Sequence, residues 1–452
     1  MRLTSAPLRI MTVAHGYPPQ AHAGAELCAH WLARALLERG HEVSVFAHTD
    51  DAALPELARV HERVDGVPVT RIRTAPEGAA SLRETYLDAR VRAVFEKELE
   101  NGAAGGRKVD VVHVHHTLGL SADLIEAAKL AGAKVVVTLH DFWYLCPRGQ
   151  RFTPWGHHCT TIDVTRCSRC IGKKRARWAL NHLSTNLLRR PLRMLAGLPG
   201  YVVENLHTRA IRRRTSEIVA QLNRADLVLA PSRFVLDEHV RHGLDPAGGR
   251  VRVMENGVDP GFVARLPPRS APGRPLRFGY VGSLLPSKGA DLLVAAFQGM
   301  PRDGATLDVH GSSPWDGGAF ARQVEAANRH PGVRFHGSFA HERLAEVFAA
   351  IDVLVVPSRW YENSPVTLDE AALAEIPVLV ANQGGMAELL ERRRNGIAFT
   401  PNDAADLKEK LLRFVREPEL WERLRRPAQP VKTAAQAGAE VESLFRELLA
   451  GA

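Results

Sequence analysis

The sequence lacks the features that would carry a chain into or through a membrane. No apolar run approaches the roughly 20 residues that a spanning helix requires. The stretch from Met1 to Met11 has neither a long apolar segment nor a small-residue cleavage site. A cytoplasmic protein is the expectation. Internal repeats and low-complexity segments are missing too, so a packed globular organisation is expected. Aromatic residues make up only 6% of the chain. In its one strongly basic region Trp178 and Tyr201 stand far apart, too sparse to stack the bases of a nucleic acid.

Cysteine is scarce, with five residues, and unevenly placed. Cys28 stands alone, whereas Cys146, Cys159, Cys167 and Cys170 fall within 25 residues and end in Cys-Ser-Arg-Cys. A C-x2-C pair with two further sulfurs is a common ligand set for tetrahedral zinc, and His157 or His158 could replace one sulfur. Free thiols are the alternative, and disulfides are disfavoured in a reducing compartment. Four ligands leave no open position, so zinc here is expected to be structural rather than catalytic.

What is present points to two domains. A chain of 452 residues, 45% hydrophobic and 24% charged, is too long for one ordinary core. Its net charge of +9 is local: Arg166 to Arg214 holds thirteen of the 59 basic residues and one of the 50 acids, so the rest is nearly neutral. That patch is either a solvated surface or an attraction for anionic lipid or a phosphate-bearing ligand. Within it, Lys173 to Gly200 has the composition of an amphipathic helix lying on a membrane surface.

Apolar runs at Leu8–Ala14, His41–Phe46, Val109–Val114, Lys134–Leu139 and Ala225–Ala230 read as strands, with a helix over Glu26–Arg39 that Gly40 stops. A Pro- and Gly-rich break follows at 259–274. Strands then recur at Leu276–Val281, Thr306–His310, Val333–His336, Val353–Val356 and Val378–Ala381, with helices at Ala290–Gln298 and Phe320–Asn328. The expected fold is α/β, two Rossmann-like doubly wound domains facing one cleft. Residues 1–258 form the first, with an insertion at about 142–214. Residues 259–274 are the linker, 275–425 the second domain, and 426–452 a helical segment that crosses back to the first. Ligands in such sheets lie at the carboxyl ends of the strands.

The most informative segment is Pro357-Ser-Arg-Trp-Tyr-Glu-Asn-Ser-Pro-Val-Thr-Leu-Asp-Glu370. Ser364 and Pro365 suit the N-cap and first position of a helix running to about Glu375. A helix that starts directly after a strand offers free N–H groups and a positive dipole end to a diphosphate. Glu362 lies before the helix and Glu370 inside it, so they can meet different parts of one ligand. Gly279-Tyr-Val-Gly-Ser-Leu-Leu-Pro-Ser-Lys-Gly289 is a second phosphate element, in which Lys288 could neutralise a leaving diphosphate. Its spacing is not that of a P-loop.

These segments resemble family four of the retaining glycosyltransferases, with the GT-B fold. Glu362 and Glu370 match the E-x7-E motif, and Tyr280 to Gly289 the strand–glycine–lysine donor loop. His15-Gly-Tyr-Pro-Pro, Ala23-Gly-Ala-Glu26, Arg39-Gly-His-Glu-Val43, His140-Asp141, Pro231-Ser232 and Glu255-Asn-Gly-Val-Asp259 follow the family's order. The resemblance implies a nucleotide-sugar donor, a UDP- or GDP-sugar first. Glu370 would hold the ribose. Glu362 would contact the transferred sugar, Asn363 and Ser364 would lie near the phosphates, and Lys288 would stabilise them. Gly282 and Ser283 belong to the donor loop. His140 would sit over the sugar from the first domain, and Gly24 would permit close backbone approach. Two positions depart from the pattern. Ser283 replaces a common arginine, leaving Arg359 as the candidate substitute, and Ala23 replaces a glycine.

No D-x-D triplet occurs, so a transfer without catalytic metal is expected, with departure and attack on one sugar face. The acceptor would be a glycan, lipid-linked or cell-surface precursor, reached by peripheral contact with anionic membrane. A GT-B epimerase or phosphorylase is the nearest rival. A zinc-containing nucleic-acid-binding protein is a remote one, and it would leave the E-x7-E motif unexplained.

Overall fold

The computed structural model describes residues 6–75, 79, 81–101, 108–171, 199–313 and 316–451. The amphipathic reading of Lys173 to Gly200 falls almost entirely outside them. The first sheet contains β1 (Arg9–Ala14), β2 (Glu42–Thr49), β3 (Arg59–Val64), β4 (Val67–Arg73), β5 (Val111–Val114), β6 (Lys134–Thr138), β7 (Leu227–Ala230) and β8 (Val251–Val253), in the order β3-β4-β2-β1-β5-β6-β7-β8. The second contains β9 (Leu276–Val281), β10 (Ala305–His310), β11 (Val333–Gly337), β12 (Val353–Val356), β13 (Val378–Ala381) and β14 (Gly396–Phe399), in the order β11-β10-β9-β12-β13-β14. Every pairing is parallel except β3 with β4. Both sheets are therefore the doubly wound type that the sequence predicts.

The central strands are covered on both faces, which is why they read as unbroken apolar runs. In β12 and β13 every residue is buried. Chain order reverses between β1 and β5 in the first sheet and between β9 and β12 in the second. Those two switch points locate the crevices where a ligand can enter.

Predicted elements are recovered with shifted ends, and four strands were missed, among them β4, whose Val-Pro-Val-Thr-Arg-Ile-Arg breaks its apolar positions with polar ones. β3, of sequence Arg-Val-His-Glu-Arg-Val, is an edge strand with no buried residue, so it carries no apolar run to read. β8 and β14 are short and partly exposed. The helix after β12 also starts later than expected. Pro365 takes the N-cap position with an extended ψ of 119°, the helix runs Val366–Leu373, and no side chain caps it. Ser364 is thus one residue too early to act as cap.

The break at 259–274 is not a loose tether. Pro260–Arg265 forms a 3-10 helix capped by Asp259, and Phe262 is buried against Phe348. Arg269 donates to three carbonyls of the second domain: Phe348 at 2.7 Å, Ile351 at 2.8 Å and Ala374 at 3.1 Å. A second crossing runs beside it. The Val258 amide donates to the Lys432 carbonyl at 3.0 Å, and the Ala434 amide to the Val258 carbonyl at 2.9 Å. A Cβ on Gly257 would stand 2.6 Å from Ala437 Cβ, so only glycine permits this approach. The last helix, Ala434–Ala450, opens with a Thr433–Gln436 capping box and packs on helix α1 (Gly24–Glu38) of the first domain.

Candidate active site

The second-domain face of the cleft is built from close backbone approaches. Gly282 follows β9 and Gly311 follows β10. A Cβ on Gly311 would stand 1.8 Å from the Gly282 carbonyl oxygen. Gly289 has φ +73° and leaves only 2.1 Å between a hypothetical Cβ and the Pro357 oxygen. The lysine loop is thereby pressed onto the loop after β12, with the Arg359 amide donating to the Ser287 carbonyl at 2.8 Å.

That contact brings Lys288 to Glu362. Its Nζ donates to Glu362 Oε1 at 2.6 Å and lies 5.0 Å above the Trp360 ring. Ser358 Oγ donates to the same carboxylate oxygen at 2.7 Å. Glu362 and Asn363 are buried, and their loop rests on helix α2 (Gly384–Arg393), where a Cβ on Gly385 would stand 1.4 Å from the Asn363 oxygen. Gln383 donates from Nε2 to the Ser358 and Trp360 carbonyls at 2.6 and 3.0 Å, fixing the loop from below.

Glu370 is buried inside the Val366–Leu373 helix and accepts from His341 at 2.8 Å. Burial works against a charged His341, but the bond to Glu370 wins and raises its pKa. The neighbouring Asp369 meets Arg393 at 2.9 Å, and Arg393 also meets Glu255 of the first domain at 2.8 Å. Burial raises Asp369 to a pKa of about 6 despite that cation.

The first-domain face is a set of histidines at the ends of β1, β5 and β6. His115 Nδ1 and His140 Nε2 share a hydrogen bond of 2.9 Å with their rings stacked. Burial lowers both, His140 to about 3, so the pair is neutral. His15 pairs with Glu26 at 3.0 Å, and His116 with Asp141 at 3.2 Å. Burial alone would raise Glu26, but His15 holds it at about 2. In the same way His116 and the Trp143 amide hold Asp141 low against burial.

The two faces touch. Asn363 Nδ2 donates to the Leu139 carbonyl at 2.6 Å, and Ser232 Oγ donates to Asn363 Oδ1 at 2.8 Å. A Cβ on Gly24 would lie 3.4 Å from Val366 Cγ2, so the starts of the two helices are apposed. The structure therefore places Glu362, Asn363, Ser364 and Glu370 on one loop-and-helix unit, with Lys288 brought against it from the loop after β9. Gly282 and Ser283 lie beside it at the strand ends, and His140 stands across the cleft behind Leu139. Arg359 does not join them: its Nη2 donates to Asp291 at 2.8 Å.

Two family models match this layout in order. Glycosyltransferase Family 4 covers residues 22–172, and Glycosyl transferases group 1 covers 267–430. The glycogen synthase of Mycobacterium tuberculosis is 26% identical over 441 residues, spanning 93% of this chain and 89% of that protein. The chain is a glycosyltransferase of GT-B type. Its fold is shared with a sucrose-phosphate synthase from Thermosynechococcus elongatus, at 19% identity and a TM-score of 0.68, covering 98% of this chain and all of that one. It is shared as well with Anabaena HepE, solved with UDP and glucose, at 17% identity and a TM-score of 0.63 over 97% and 99% of the two chains.

Reading the transferase's sequence alone passes over several site residues. His341, Ser358 and Gln383 lie outside the E-x7-E motif, and they hold its two glutamates and the loop before Glu362. His115 and His116 did leave a signal, a histidine pair directly after a buried strand. None of the four clustered cysteines forms a disulfide, and all four line one cavity. Among the described residues no helix is long and apolar enough to cross a membrane.

Proposed function

We propose that the protein transfers a sugar from a UDP- or GDP-sugar to an acceptor hydroxyl with retention of configuration and without a catalytic metal. The observation that carries this is the pair of buried carboxylates on one strand–loop–helix unit, with Glu362 already against a lysine. Lys288 would turn from Glu362 to the donor diphosphate, joined there by the N–H groups at the start of the Val366–Leu373 helix. Glu362 would then accept from the sugar, and Glu370 from the ribose.

In this reading the bond from the sugar's anomeric carbon to phosphate oxygen breaks, and the bond to the acceptor oxygen forms on the same face. The acceptor's proton passes to the departing phosphate. The protein supplies position and electrostatics rather than a nucleophile. Neutral His140 could donate or accept a hydrogen bond at the sugar without adding charge. A lipid-linked or cell-surface glycan precursor is the acceptor class that the basic stretch Arg166–Arg214 favours, through peripheral contact with an anionic surface.

The test is a thermal shift with UDP, GDP, ADP and their sugar conjugates on the wild type and Glu370→Ala. One nucleotide should raise the melting temperature of the wild type, and the variant should lose that response. Absence of any shift at millimolar nucleotide would remove the donor site from this position.

A further inference from the structure

A cavity of about 20 Å³ beside the cleft is lined by Cys146, Cys159, Cys167 and Cys170. A space of that size accepts about one water or one small ion. The four thiols reach it from three separate pieces of chain. Cys146 ends a turn in which its amide donates to the Phe142 carbonyl at 2.6 Å. Cys159 leaves a hairpin closed by a bridge between Phe152 and His158, and its amide donates to the Arg151 carbonyl at 2.8 Å. Cys167 and Cys170 stand three apart on one face of the helical segment 164–171, which Asp163 starts by accepting from the Thr165 amide at 2.9 Å. Cys167 lies within electrostatic range of the other three sulfurs.

The same geometry removes the histidine alternatives. Neither His157 nor His158 lines the cavity, and the His158 ring instead lies 4.5 Å from Tyr361. The surroundings carry more cations than anions, with Asp163 the one carboxylate among the lining residues. Arg148 and Arg166 line the cavity, and buried Arg214 interacts with Cys146 and Cys167. Guanidinium groups in these places offset the double negative charge of a tetrathiolate bound to a divalent cation. Among the described residues no three ligating side chains yet stand in the arrangement of a formed metal site. Closing it requires rotation of cysteine side chains, each with one torsion and three staggered positions.

We propose that this cavity is a structural zinc site with Cys146, Cys159, Cys167 and Cys170 as its four ligands. On binding, four thiols release their protons to solvent as four zinc–sulfur bonds form, with no redox change. Zinc would fix both ends of the segment between Cys146 and Cys159. That segment carries His158 onto Tyr361, the residue before Glu362, so the metal steadies the donor loop from the side. The site stands apart from the donor reading, because zinc can be measured with no substrate present.

The experiment uses the full chain, expressed in zinc-supplemented medium and purified without chelator. Metal analysis should give one zinc per chain, with the clustered thiols protected from a thiol reagent until a chelator is added. The Cys167→Ser/Cys170→Ser variant should lose the zinc. Should that variant fail to fold, cobalt exchanged into the wild type should show the sulfur-to-metal charge-transfer absorption of a tetrathiolate. Zinc well below one per chain, iron in its place, a disulfide among the four, or a cobalt protein without that absorption would each overturn the proposal.

Discussion

The two faces of the cleft solve the same problem with different materials. On the second-domain face the polar groups are placed by backbone: Gly289, Gly311 and Gly385 allow contacts that any Cβ would block, and Lys288 and Glu362 are delivered to one another as a charged pair. On the first-domain face they are placed by side chains from three strand ends, and burial keeps His115 and His140 neutral. The first arrangement is charged before a ligand arrives. The second can exchange hydrogen bonds at little electrostatic cost. A donor with two phosphates needs the former, and an acceptor hydroxyl giving up a proton is served by the latter.

Breaking the charged face should cost most. Lys288→Ala is expected to lower kcat by about 10²–10³, the loss seen when one preorganised charge-stabilising donor is removed. The melting temperature of the ligand-free protein should change little, because Lys288 is partly exposed. A steady-state assay with the nucleotide sugar identified by thermal shift checks this, and a variant within threefold of wild type would dissolve the contrast between the faces. Next is Gly385→Ala, which forces a methyl group into the Asn363 oxygen. It should destabilise the fold by about 3 kcal/mol, read as a drop in the denaturation midpoint.

This dependence on backbone explains what could be read in advance. A glycine that must touch a neighbouring carbonyl, or a lysine six residues past the glycine after its strand, leaves a fixed spacing in one stretch of chain. The E-x7-E segment and the loop ending at Gly289 were legible for that reason. The buried strands were legible because both of their faces are covered. By contrast, His341 reaches Glu370 from 29 positions away, and His115 meets His140 across 25. No local pattern records such meetings. The helix start was misplaced by one residue because Ser364-Pro365 has a good capping composition, whereas the backbone keeps Pro365 extended.

Asn363 ties the faces together, so Asn363→Ala should weaken closure rather than chemistry. It removes two interdomain hydrogen bonds and leaves the Leu139 carbonyl without that donor. A rise in KM of about tenfold is expected, roughly the worth of one such bond. An equal fall in kcat with unchanged KM would move Asn363 into the transition state instead.

The neutral histidines of the first-domain face should show themselves in acid. His113, buried inside β5 with Nε2 2.8 Å from Thr138 Oγ1, lies beneath His115; burial holds it and His140 at about 3, whereas in the unfolded chain each protonates near 6.5. The unfolded state therefore binds protons first as pH falls. Stability from these residues is complete above 6.5 and is lost as pH drops toward 3, by up to about 1.4 kcal/mol per pH unit for a fully buried group. His113→Asn should flatten that slope in urea titrations below pH 6. His15 acts in the opposite sense: Glu26 raises its pKa against burial, so its contribution is present at low pH and fades as pH rises past the raised value. A wild type whose stability is flat between pH 6.5 and 4 would mean that the histidines are already charged.

The smallest effect should come from Arg359. The donor loop carries Ser283 where the family has arginine, and Arg359 is the nearest cation in sequence to the motif glutamates. Yet its guanidinium is spent on Asp291 at 2.8 Å rather than on the Lys288–Glu362 pair. The bond is partly exposed and worth about 0.2–1 kcal/mol. Arg359→Ala should thus lower stability slightly and change kcat/KM less than about threefold, within the range of one surface pair. A loss near that of Lys288→Ala would show that donor binding pulls Arg359 off Asp291. The charged face would then be assembled in part by its ligand, and the distinction between a preset donor side and an adaptable acceptor side would have to be redrawn.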